Sequence, residues 1–124
     1  MHVLRAAQAA RFELPGVAFT AAAAPSRGSA DVCTWLLTVE PGLESPNAHV
    51  IDQDEIFTVI AGAIRLAPGG DVALAGDTII VPAGENIQVA NPGAEPARVV
   101  VVIRSGFTAT GDDGVAIGTP PWAR

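Results

Sequence analysis

His49 and Glu55, in the stretch AHVIDQDEIF, are the two residues whose types and spacing point most directly to chemistry. An imidazole and a carboxylate can work as base and acid on one substrate. Together they also suit a divalent transition metal such as Mn, Fe, Ni, Cu or Zn. A third role is structural, as a buried polar pair whose members satisfy each other. In an apolar barrel mouth, burial and mutual interaction shift both pKa values, so such a pair can also serve as general base and acid. The other reactive residues read as bystanders. Cys33 lies on an apolar strand face and reads as an inert buried thiol. His2 sits beside the N-terminus in solvent, and Asp112 and Asp113 read as turn residues. The chain has no phosphate-binding loop, dinucleotide fingerprint or serine nucleophile elbow. Nothing in it resembles a helix-turn-helix.

The elements that must position this pair are strands. The segment 32–40, VCTWLLTVE, is rich in β-formers, with Cys33, Trp35, Leu37 and Val39 on one face. Further strands are expected at 55–60, 63–66, 71–74, 78–81, 86–90 and 98–103, punctuated by Pro41-Gly42, Pro68-Gly69-Gly70, Pro82-Ala83-Gly84 and Asn91-Pro92-Gly93. Near the N-terminus, 1–5 and 17–22 read as short strands around the turn Pro15-Gly16, with a helical turn at 6–10. The tail 112–124 reads as loop with one strand at 115–117. Many short strands at close spacing with turn chemistry between them define an all-β sandwich or barrel. The 124 residues show no internal repeat or linker, so they read as one domain, 1–124.

Two stretches carry a family resemblance. Gly76, Pro82, Gly84 and Asn91 keep the spacing G-x5-P-x-G-x2-H-x3-N, and His49, Glu55 and Gly62 keep part of a preceding motif over 42–62. In this respect the chain resembles the cupin family, small jelly-roll-like β-barrels. The resemblance implies that two histidines and a glutamate of the first motif, with a histidine of the second, converge on one metal ion inside the barrel. Here Ile87 stands in the second motif's histidine slot, and Ile51 in one of the two histidine slots of the first. A second alignment places Asn47 and His49 in those two slots, but lengthens the spacer to Glu55 by one residue.

Isoleucine cannot coordinate a metal, so His49 and Glu55 are the only matched ligands. A tight site needs about three protein ligands. No cofactor is therefore expected beyond a weak divalent transition metal on His49 and Glu55, with Asp52, Gln53, Asp54 or Gln88 as possible substitutes. The expected pocket is apolar, lined by Ile51, Phe57, Ile87 and Val89, with Trp35 either a wall or plain core. The expected function is binding of a small, largely apolar organic molecule at a degenerate metal site. The alternative is an enzyme, either a metal-dependent oxygenase or isomerase or an acid–base isomerase or cyclase using His49 and Glu55.

Composition bounds the partners. The net charge of −6 argues against nucleic acid and anionic membrane. No apolar run approaches the roughly 20 residues of a membrane span. Arg5, Arg11 and the apolar stretch 14–24 imitate a secretion signal, but Glu13, Pro15 and Gly16 interrupt it, so a cytoplasmic protein is expected. Small cupins are commonly homodimers. A homodimer contacting through an N-terminal strand or a sheet face is expected from the apolar segments Val3-Leu4 and 17–24.

Overall fold

The computed structural model describes residues 1–124 as an all-β fold built from twelve strands. They are β1 (Arg11–Leu14), β2 (Val17–Ala23), β3 (Val32–Val39), β4 (His49–Ile51), β5 (Glu55–Ala61), β6 (Ala63–Ile64), β7 (Ala73–Leu74), β8 (Thr78–Val81), β9 (Asn86–Ile87), β10 (Ala97–Arg104), β11 (Ala109–Gly111) and β12 (Ala116–Gly118). One sheet runs β1-β2-β3-β10-β5-β8 and the other β12-β11-β4-β9, with β6 and β7 paired separately. Short connections at 52–54, 82–85 and 105–108 carry the chain between the two large sheets. The result is a jelly-roll-like barrel.

Period-two alternation decides what faces inward. β3 alternates as the sequence predicts, with Cys33, Trp35, Leu37 and Val39 buried. β10 does the same with Ala97, Val99, Val101 and Ile103. These two strands pair along their whole length. Directly opposite residues share a face, so the register lays rows across the sheet. One row is Cys33, Ile103, Glu55 and Val81; the next is Trp35, Val101, Phe57 and Ile79.

The N-terminus departs from expectation. Residues 1–5 form no strand; the first strand is β1, which pairs with β2 through the Pro15-Gly16 turn. Gly16 makes that turn possible, at φ +77. Met1–Leu4 are exposed and find no sheet partner. The expected strand at 86–90 shrinks to Asn86–Ile87, because Gln88 N donates to Leu66 O and Ala90 exchanges hydrogen bonds with Arg65 instead. The expected strand at 63–66 ends at Ile64 for the same reason. β11 was not foreseen. Its Gly-flanked, threonine-rich sequence gives little local signal, and pairing with β4 creates it.

The C-terminus folds back as a 3-10 turn over Pro121–Ala123. Trp122 stacks on Phe19 with centroids 3.7 Å apart, and meets Trp35 edge-on at 6.5 Å. Cys33 Sγ donates to Ala123 O at 3.2 Å, and Ser26 Oγ donates to Arg124 O. The tail therefore covers the inner face of β2 and β3 beyond the second sheet.

Gly62 explains how β5 turns into β6 without leaving the barrel wall. Its φ is +75, and a Cβ there would lie 2.7 Å from Pro96 O. Only glycine fits that approach. No helix is long and apolar enough to cross a membrane.

Candidate functional site

His49 opens β4 and lies directly opposite Ile87 of β9 on one side and Gly111 of β11 on the other. It shares a face with Ile87, which is 1% exposed, so the imidazole belongs to the inward-facing row. His49 itself is half-buried, and desolvation lowers its pKa below the ordinary histidine value. Two residues on, Ile51 is buried opposite Ala109. Asn47 lies exposed before the strand begins. His49 and Ile51 thus lie on the same strand and face, and Asn47 lies outside it.

Glu55 opens β5 and sits in register between Ile103 and Val81. It is 3% exposed, and its Oε2 has no hydrogen-bond partner within the protein. Desolvation pushes its pKa up to about 7. The protonated carboxyl is therefore present in quantity at neutral pH, and supplies an O–H donor as well as acceptor oxygens. His49 and Glu55 form no ion pair with each other; the chain's ion pairs are Arg11–Glu13 and Arg65–Glu44.

Ile51, Phe57, Ile87 and Trp35 all join one hydrophobic cluster, with Val89 packed against it. Trp35 lies near Phe107 at 6.2 Å with planes 29° apart, so this wall is aromatic as well as part of the core. Phe107 was not singled out from sequence. It follows the Ser105-Gly106 turn and belongs to no strand, so no periodicity marks it.

The residues present do not fit a transition-metal centre with three side-chain ligands. Ile51 and Ile87 fill two histidine positions as buried hydrocarbon. No group of three His, Cys, Asp or Glu comes close enough together to hold an ion. Three of the four possible substitutes, Asp52, Asp54 and Gln88, hold hydrogen bonds to other groups. Asp52 Oδ1 accepts from Thr108 N at 2.7 Å, and Asp54 Oδ1 accepts from Ala83 N at 3.0 Å. Gln88 Nε2 donates to Ser45 O at 2.8 Å. Both aspartates tie loops together at the end of the barrel where β5 begins.

The fold is a two-sheet β-barrel whose mostly hydrocarbon interior holds one buried carboxyl, Glu55, with the half-buried His49 on an inward-facing row. Comparison with known proteins gives the family. The cupin domain profile matches residues 35–103, and the chain belongs to the cupin family. A structure of a sugar phosphate isomerase from a cupin superfamily, from Silicibacter pomeroyi DSS-3, is 30% identical, with a TM-score of 0.65 over 80% of this chain and 67% of that one. The polyketide cyclase RemF from Streptomyces resistomycificus is 16% identical, with a TM-score of 0.71 over 84% and 79%. An acetylacetone dioxygenase from Acinetobacter johnsonii is 13% identical, with a TM-score of 0.72 over 98% and 85%. The last two likenesses concern the fold. No curated protein matches the chain.

Proposed function

We propose that this cupin binds a small, largely apolar organic molecule inside its barrel, without a resident transition metal, using Glu55 and His49 as polar anchors. The observation that carries this reading is the buried Glu55 carboxyl with an unpartnered oxygen. Leaving such a group unsatisfied costs about 1–3 kcal/mol, so a purely structural position favours a hydrocarbon there. A bound molecule with one polar group would satisfy Glu55, while Ile51, Phe57 and Ile87 would contact its apolar part. The test is native mass spectrometry of untagged protein, followed by isothermal titration with any co-purified molecule. Glu55→Gln should weaken that binding about tenfold. Unchanged binding would remove Glu55 from the site.

A second reading is an acid–base isomerase or cyclase. Its support is a carboxyl with a pKa near 7 and an imidazole held largely neutral, the protonation states such chemistry uses. The 30% identity to a sugar phosphate isomerase favours the isomerase form. Proton exchange of a candidate substrate with deuterated water, lost in Glu55→Gln and His49→Gln, distinguishes turnover from binding.

We also infer a homodimer joined near the β1 end of the large sheet, where Val3, Leu4 and Leu14 are exposed. Sedimentation velocity at micromolar concentration tests it, and a monomer there contradicts it.

A further inference from the structure

The six-stranded sheet has two edges, β1 and β8, and they are built differently. β1 reads RFEL, and its Arg11 Nε meets Glu13 Oε1 at 2.8 Å. Charges on an edge strand block the addition of another strand. β8 reads TIIV and carries no charge, proline or bulge, and Ile80 is 65% exposed. In the antiparallel ladder with β5, Val59 N donates to Asp77 O. Residues alternate between facing the partner strand and facing away. Ile79 and Val81 therefore face β5, and the N–H and C=O groups of Thr78 and Ile80 point to the free side.

A groove of about 580 Å³ runs along that side, with the 66–73 segment as its far wall. Its floor is apolar, from Leu66, Ala73 and Val81. Asp71, Asp77 and Glu85 also line it, and no arginine or histidine does. The opposite flank of the barrel is covered by the chain's own Trp122; this one is left open between β8 and β9.

We propose that the β8 edge accepts an extended peptide segment of a partner protein as an added strand, with apolar side chains alternating with basic ones. Free main-chain groups supply affinity, and alternate side chains supply specificity, as in strand addition generally. Apolar residues would enter the floor, and lysine or arginine would meet Asp71 and Glu85, while Asp77 Oδ2 already accepts from Leu74 N at 2.8 Å. The occupant is foreign and not the chain's own basic N-terminus, because Leu4, Arg5 and Ala6 already line a separate cleft against Thr20–Ala23. The proposal is independent of what the barrel interior binds.

The test is fluorescence anisotropy of the intact protein with a labelled hexapeptide alternating lysine and valine. Saturable binding is expected, weakened at least several-fold between 50 and about 300 mM salt. Ile80→Pro removes an outward N–H while sparing the β5 ladder, and should weaken binding at least about tenfold. Asp71→Asn with Glu85→Gln should weaken it about fivefold and flatten the salt dependence. Should Ile80→Pro fail to fold, the same peptide with N-methylated valines is the second probe, and should lose binding to the natural chain. Equal binding of a control hexapeptide alternating glutamate and valine, equal binding of the N-methylated peptide, or no binding of the lysine–valine peptide at about 1 mM, roughly −4 kcal/mol, overturns the proposal. Peptide competition with a dimer seen in sedimentation overturns it as well, and assigns the edge to a second copy.

Discussion

Asn91 and Glu55 are the two polar or charged residues that the fold buries, and the barrel treats them oppositely. Asn91 Nδ2 donates to Val39 O at 3.1 Å and to Glu95 O at 2.9 Å, while its Oδ1 accepts from Gly93 N at 2.9 Å. It clamps the end of β3 to the turn before β10. Glu55 lies in an equally buried place, with an oxygen that meets nothing. Both belong to the family motifs, yet one supports the scaffold and the other retains a cost that the scaffold does not need. A satisfied buried polar group adds to the scaffold; an unsatisfied one carries a cost that calls for an explanation of its own.

The contrast can be broken most sharply at Asn91. Asn91→Ala orphans two carbonyls and an amide at once, and should cost roughly 4 kcal/mol in urea unfolding. A loss below about 1 kcal/mol would show that Asn91 is no clamp.

Glu55→Gln should move stability the other way. The Glu55 pKa rises on folding from 4.5 to about 7, so between those values the folded state binds the extra proton. Stability from this group is full below pH 4.5 and is lost as pH rises through 7. At pH 8 the variant should be more stable than the natural chain by up to about 3 kcal/mol, and the difference should vanish near pH 4. The His49 shift has the opposite sign: its stabilisation is present above its unfolded value and is lost as pH falls through the lowered folded value. It largely cancels when the two proteins are compared at each pH. A pH-independent difference would refute the buried, unpaired carboxyl.

Ile87→His sharpens the comparison from the metal side. It sets a second imidazole directly opposite His49. Calorimetry with Ni or Zn should show at least about 100-fold tighter binding than the natural chain, near 3 kcal/mol. No gain would mean that the two positions do not converge. Asp52→Ala is the smallest expected effect, about 1 kcal/mol from losing the Thr108 hydrogen bond. It should leave the metal affinity of the Ile87→His protein unchanged, because Asp52 is a loop tie and not a ligand.

The sequence alone carried the all-β class, the inward faces of β3 and β10, and the Gly76–Asn91 turn frame. Those features are local: a two-residue period, and glycine, proline or asparagine at a turn, act within a few residues. It also showed isoleucine at positions 51 and 87, two side chains without a donor atom. Tertiary structure alone decided the rest. β11 exists because β4 offers it a ladder, and the N-terminal 1–5 segment is not a strand because no neighbour pairs with it. Trp122 packs on Phe19 from 103 residues away in sequence. Whether Glu55 is paired, and which edge of the sheet is left open, depend on groups that meet only when distant strands align. Burial and hydrogen-bond satisfaction are properties of the assembled barrel, not of any segment of the chain.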